Sequence, residues 1–267
     1  MIPFVKMHGI GNDFILMKRE DIPSSVKLTD LVMAACHRQF GIGADGLMVA
    51  DASSIADASM VYYNSDGSLG EMCGNGIRCF ARFIDDKRHP DERELSIETQ
   101  SGIKKLSIIT DDSNQSLVRV EMGIPEIHVL ENTLAVCDQT LVYSHVTMGV
   151  PHVVIYTPQL SPELVDTLGE AIENHPIFPN RTNVNFCYIK NRQKMHVFTW
   201  ERGAGHTLAC GTGVTSAFAV AFRLERISDS AVVMAEGGEL QMRMMVDGAV
   251  EMTGPARDIC SGIFYDE

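Results

Sequence analysis

Cys73-Gly74-Asn75-Gly76 and Cys210-Gly211-Thr212-Gly213 read almost alike, and the runs behind them share one apolar pattern. Ile77, Phe80, Ala81 and Ile84 succeed the first; Val214, Ala217, Phe218 and Phe222 succeed the second. Apolar residues at that spacing predict a helix behind each motif, so each cysteine is expected at a helix N-terminus. There the unpaired backbone N–H groups and the helix dipole favour a thiolate and bind a carboxylate. Two such cysteines facing each other across one substrate could take a proton from one face of a carbon and return one to the other. Inversion of a carbon centre without a cofactor needs that arrangement.

The flanks of the two motifs fall into register as well. Each half opens with a glycine turn after a methionine (Met7-His8-Gly9 and Met148-Gly149-Val150), followed by an apolar strand at 14–17 or 153–156. Helix candidates at 26–36 and 162–172 come next, the latter with Ser161 as N-cap and Pro162 in its first position. Short strands at 46–49 and 184–189 lead into the motifs. Behind them lie strands around a glycine turn, at 95–99 and 103–109 in one half and at 232–235 and 240–244 in the other. A last strand ends near Met122 and Pro125, or near Met252 and Pro255. Alternating strands with turns at 111–114 and at Asp247-Gly248 predict antiparallel hairpins more than parallel βαβ units. The expected fold is α+β, with two pseudo-symmetric domains at 1–124 and 125–255 and the active site in the cleft between them. The tail 256–267 is expected to pack back on the first half.

Composition narrows the function classes. The chain has 267 residues, 45% hydrophobic and 21% charged, enough for two modest cores and unlike a disordered or fibrous protein. Its net charge of −13, from 22 Lys+Arg against 35 Asp+Glu, argues against nucleic acid or an anionic membrane surface as partner. No apolar run approaches the roughly 20 residues of a membrane span. The opening MIPFVKMHGIGNDF reaches polar residues and glycine too early for a signal peptide. Seven cysteines without a CxxC pair read as reduced, cytoplasmic thiols.

Each motif has a bland rival. Gly41-Ile42-Gly43-Ala44-Asp45-Gly46 matches a dinucleotide fingerprint, but a helical run precedes it and a strand succeeds it, the reverse of the order that fingerprint needs. Cys36, Cys79, Cys137, Cys187 and Cys260 read as small buried hydrophobes. A zinc site would need more Cys or His ligands at close spacing than Cys73 or Cys210 has, so no metal is expected. A redox dithiol ranks below catalysis. Asn12, Asn64, Asn75 and Asn183 lie in turn-rich segments, where asparagine is ordinarily structural. Their clustering around the two motifs suggests otherwise. Glu201-Arg202, beside a candidate active cysteine, could clamp a zwitterion, Arg202 taking a carboxylate and Glu201 an ammonium.

These strings together resemble the diaminopimelate epimerase family, whose members invert an α-carbon with two cysteines and without pyridoxal. The likeness rests on MHGIGNDF (7–14), GIGADGL (41–47), YNSDGSLGEMCGNGIRCFARF (63–83), GVPH (149–152), FPNRTNVNF (178–186) and ERGAGHTLACGTG (201–213), and spans the whole chain. It implies that Cys73 and Cys210 are the catalytic bases. Gly74, Asn75, Gly211 and Thr212 would cradle the reacting carboxylate with backbone N–H groups, and Asn12, Asn64, Asn183, Glu201 and Arg202 would hold the far end of the substrate. It also implies a helix wrapped by a mostly antiparallel, barrel-like sheet in each domain, and no cofactor. The substrate would be LL-diaminopimelate, converted to the meso form. Another amino acid such as histidine is the alternative, and a non-catalytic binder or redox switch a distant one. A homodimer stays open.

Three positions depart from the family pattern. Val150 stands where many members have asparagine, His206 replaces the usual glutamate of ERGAGET, and Gly46 stands where some carry glutamine. His206 could hydrogen-bond or stack on an imidazole side chain. His8 and His206 are also candidates for biasing which thiol is ionised.

Overall fold

The computed structural model describes residues 1–70, 73–85, 93–111 and 114–265. Glu71 and Met72, the centre of the expected 111–114 turn and the last two residues of the tail lie outside the described residues. The chain divides into two compact units, Met1–Val120 with Gly254–Glu267, and Glu121–Thr253.

The first unit runs β1 (Ile2–Gly9), β2 (Asn12–Lys18), α1 (Leu28–Cys36), β3 (Gly46–Asp51), β4 (Ala58–Asn64), α2 (Gly74–Ile84), β5 (Arg93–Thr99), β6 (Gly102–Asp111) and β7 (Gln115–Gly123). The second runs β8 (Glu126–Val136), β9 (Gln139–Met148), β10 (Val150–Tyr156), α3 (Pro162–Glu173), β11 (Asn183–Asn191), β12 (Lys194–Glu201) and β13 (Gly205–Thr207). It continues through α4 (Gly211–Arg223), β14 (Ser230–Ala235), β15 (Gly238–Met244) and β16 (Val250–Phe264). With β9 set against β1, the succession of strands and helices is the same in both units, β8 and β13 being additions to the second.

In the first unit the neighbours run β1-β2-β3-β4-β5-β6-β7-β16, and β16 pairs β1 to close an eight-stranded barrel. In the second they run β8-β9-β10-β11-β12-β14-β15-β16, with β13 on β12. Most pairs are antiparallel, as the alternation predicts, but β2–β3, β4–β5, β10–β11 and β12–β14 are parallel. A helix lies between the members of each parallel pair. Such a crossover carries the chain back to the end where it started, so the next strand runs the same way. The sheet is therefore mostly antiparallel, as expected, with a parallel pair at each helical crossover.

Helices α1 and α3 bury one face each: Leu31, Val32, Ala35 and Cys36 in α1, Val165, Leu168 and Ile172 in α3. That is the pattern of a helix lying on a sheet. Ser161 caps α3, accepting from the Leu164 N–H at 3.3 Å. By contrast, α2 is buried without a break from Gly74 to Arg82, against β1, β2, β3 and β6. Likewise α4 is buried along most of its length, against β9 to β12, β14 and β15. These two are the core helices, and they are the ones behind the CGxG motifs.

Several boundaries differ from expectation. Met7, His8 and Gly9 still belong to β1, and the chain reverses at Ile10-Gly11, both at positive φ (49° and 91°). Helix α1 starts at Leu28 rather than 26, because Val26 closes a turn onto the Pro23 carbonyl at 3.0 Å and Lys27 is extended. Strand β16 runs through Pro255 to Phe264, pairing β15 before the proline and β1 after it. Proline is tolerated at such a changeover. All seven cysteines are free; Cys36, Cys79 and Cys187 are buried, whereas Cys137 and Cys260 are exposed, not the buried hydrophobes expected.

Candidate active site

Cys73 is the N-cap of α2, in extended backbone conformation, and its sulfur accepts from the Gly76 N–H at 3.4 Å. The Sγ also lies 3.4 Å from Asn12 Oδ1, which takes the thiol proton in a hydrogen bond. The Asn75 side-chain amide donates to the same oxygen at 3.4 Å. Asn12 is itself held from behind. Its amide donates to Asp45 at 2.6 Å, and Asp45 pairs with Arg38 at 2.6 Å. Arg38 also bonds Asp13 at 3.0 Å, and Lys6 bonds Asp13 at 3.0 Å. Burial alone would push the Asp13 carboxyl up, but the hydrogen bonds from Arg38 and Lys6 outweigh it and hold the group below the usual carboxylate range.

Under the same helix end, the fully buried Arg78 donates to the Gly74 carbonyl at 2.9 Å, to Asn75 Oδ1 at 3.0 Å and to the Pro255 carbonyl at 3.2 Å. Burial lowers its pKa to about 10, which still leaves it a cation at neutral pH beside the end of α2 that bears Cys73. Asn64 closes β4, but its side-chain amide goes to Ser68 Oγ at 3.0 Å rather than toward the cysteine.

The second unit repeats the cap with different neighbours. Cys210 is the N-cap of α4 and 6% exposed, with Thr212 Oγ1 3.4 Å from its sulfur. Burial first, and then the Glu201 carboxylate beside it, push this thiol well above its ordinary range. Hydrogen bonds from Thr212 and from the Gly213 N–H act the other way and are outweighed. Glu201 is fixed by Thr207, whose hydroxyl donates to it at 2.6 Å. Thus the carboxylate that the sequence suggests as an ammonium clamp lies against the candidate catalytic sulfur. Arg202 is anchored by its backbone N–H to Asn183 Oδ1 at 2.9 Å, while its exposed guanidinium donates to the Asn180 carbonyl at 3.1 Å. Asn183 in turn donates to the Pro151 carbonyl at 3.0 Å.

The second glycine of each motif has a spatial reason. A Cβ on Gly213 would stand 2.2 Å from Asn185 Oδ1; one on Gly76 would stand 1.9 Å from the Met48 methyl. Both helix ends therefore sit so close to their strands that a side chain would force a neighbour to shift.

Sequence reasoning misses one group, and it does not see the partners of two others. His152 is fully buried on β10, in register with Asn183. The Asn185 amide donates to its Nδ1 at 3.2 Å, which leaves the ring proton on Nε2. That Nε2 is buried and meets no partner among the described residues. Burial, with Arg202 nearby, lowers the His152 pKa to about 3, so the ring is neutral. The signal that could have found it is the histidine closing the GVPH string. His8 accepts from the Gly11 N–H at 3.2 Å and serves the β1–β2 turn. Neither ring nitrogen of His206 is free to hydrogen-bond an imidazole substrate: Asp166 holds its Nδ1 at 2.8 Å and Glu236 its Nε2 at 2.5 Å.

Residues 4–128 and 144–259 match the family model of diaminopimelate epimerase. A protein of Alkaliphilus metalliredigens named diaminopimelate epimerase is 45% identical over 277 residues, spanning 99% of this chain and 98% of that one. One of Moorella thermoacetica with the same name is 41% identical, spanning 98% of each. Among solved structures, a probable proline racemase from Agrobacterium radiobacter superposes with a TM-score of 0.76 at 16% identity, over 100% of this chain and 94% of that one. A hydroxyproline epimerase from Agrobacterium vitis does so at 0.72 and 16%, over 100% and 93%. At such identities the solved structures speak for the fold.

Proposed function

The chain belongs to the diaminopimelate epimerase family and is an isomerase, and from that premise we propose that it converts LL-diaminopimelate to the meso form by two-base chemistry at Cys73 and Cys210. The observation that carries the proposal is that each of the two core helices is capped by a cysteine. In this reading Gly74, Asn75, Gly211 and Thr212 present N–H groups to the α-carboxylate. Both helix dipoles then stabilise the negative charge that develops as the α-proton leaves. One cysteine takes that proton as thiolate while the other delivers its own to the opposite face. Glu201, set beside Cys210, relays the proton that this thiol must gain or lose in each direction. The neutral His152, whose Nε2–H has no partner among the described residues, adds a donor without adding charge. Asn12, Asn64, Asn183 and Arg202 hold the remote amino-acid centre. The residues at 1–124 and 125–255 are the two halves of this machinery, each supplying one base, and no cofactor enters it.

Diaminopimelate is favoured over histidine because both nitrogens of His206 are already bound to carboxylates. A site built around a second zwitterionic centre rejects ligands lacking one by several orders of magnitude. The test compares kcat/KM for LL-diaminopimelate and L-histidine, together with Cys73→Ala and Cys210→Ala. Preference for the diacid by at least about a hundredfold and loss of net inversion in both variants are expected. Preference for histidine, or near-normal inversion by either alanine variant, contradicts the reading.

A further inference from the structure

Strand β13 is three residues long and lies off the main path of the sheet, held to β12 by the pairs Thr199–Thr207, Trp200–His206 and Glu201–Gly205. A ladder that short is a weak anchor, yet β13 joins Glu201 to Cys210 in the chain. His206 fixes it in addition. Its Nδ1 meets Asp166 on α3 at 2.8 Å, and its Nε2 meets Glu236, in the turn between β14 and β15, at 2.5 Å. The residue opposite it on β12 is Trp200 and the nearest ring is Phe198, neither of them charged. The next residue, Thr207, carries the hydroxyl that holds the Glu201 carboxylate at 2.6 Å.

We propose that His206 is a positioning residue: clamped between Asp166 and Glu236, it seats β13 so that Thr207 sets the Glu201 carboxylate against Cys210. Only the imidazolium can donate from both nitrogens at once, so the clamp is complete only when His206 is protonated. Burial disfavours that charge, but the two carboxylates more than offset it and raise the pKa of the ring above its ordinary value. A raised folded pKa means that the clamp is fully formed below the ordinary histidine range and opens as pH rises through the raised value. The inference rests on the reading that Cys210 exchanges a proton with substrate.

The experiment records the kcat–pH profile of the full-length enzyme with LL-diaminopimelate beside an NMR titration of the His206 ring. Wild type should lose kcat as His206 deprotonates. His206→Gln should lack that limb and run about tenfold slower below it with little change in KM, while His206→Lys, which stays charged, keeps the rate across the window. Asp166→Asn and Glu236→Gln each leave one carboxylate and should shift both the limb and the NMR midpoint downward. Those two variants decide the matter should His206→Gln not fold. An unchanged profile in His206→Gln, or a ring midpoint at or below its ordinary value, overturns the proposal. Cys210→Ala separates the two readings: it should titrate at His206 like wild type while inverting nothing. Retained inversion there removes the role of Cys210 and leaves the titration to judge the clamp.

Discussion

At the scale of single residues, the two thiols are set up differently. Cys73 has a neutral amide oxygen as its acceptor, whereas Cys210 has a carboxylate in contact. The Cys73 acceptor is held by a run of charges, Lys6–Asp13–Arg38–Asp45, that ends on Asn12. Asp45 is 42% exposed at its side chain, so its ion pair contributes little to stability, and its weight is in orientation. Asp45→Asn is therefore expected to lower kcat by about tenfold while changing unfolding free energy by about 1 kcal/mol or less, read from steady-state rates and urea denaturation. Asp13 is mostly buried, and Asp13→Asn should cost about 2 to 3 kcal/mol in the same denaturation experiment. pH separates these groups. His152 is held neutral with its pKa lowered from 6.5 to about 3, so the unfolded chain binds a proton that the folded one refuses. That contribution is complete above pH 6.5 and falls away between there and pH 3. The contribution of Asp13, whose folded pKa is lowered, is complete above the ordinary carboxylate range and is lost as pH falls through the lowered value. Replacing His152 by Asn should remove the earlier of these two acid losses and leave the later one.

At the scale of elements, the CGxG helices are legible because the signal is local: small residues, a capping side chain and a helical apolar period fall within a dozen positions. Their glycines make a sharper prediction. The Met48 methyl facing Gly76 ends a flexible chain and can move, but Asn185 Oδ1 facing Gly213 belongs to an amide fixed by Thr199, Val153 and His152. Gly213→Ala should therefore displace the start of α4 and cut kcat by about a hundredfold or more, while Gly76→Ala loses about tenfold or less, with thermal unfolding measured alongside. Ser161→Ala should cost about 1 kcal/mol and leave kcat unchanged, since its cap serves an outer helix. Other elements escape the sequence for physical reasons. β13 is too short to show a period, and β8 alternates so weakly that it is mostly exposed. β16 continues through a proline that a local reading takes as its end. The parallel pairs depend on which strands a helix connects, which no stretch of a few residues states.

At the scale of the whole molecule, the repeat is readable from the matching order of turns, strands and motifs, because duplicated halves need the same hydrophobic faces in the same succession. Pairings between distant residues are not readable: Arg82 with Asp258, His206 with Glu236 and Asn12 with Asp45 join segments whose separation leaves no local trace. The likeness to the family points to Asn12 and Glu201, and the fold gives them partners in Asp45, Cys73 and Thr207. The repeat also carries the central claim, that one base belongs to each half and that the incoming proton is not the departing one. Running the reaction on LL-diaminopimelate in D₂O and analysing both pools by NMR at low conversion tests it directly. In two-base chemistry the thiol that delivers has already exchanged with solvent, so the meso product carries deuterium at the inverted carbon while remaining LL substrate stays protiated. Meso product that keeps its original hydrogen, or LL substrate that gains deuterium as fast as product forms, contradicts the account.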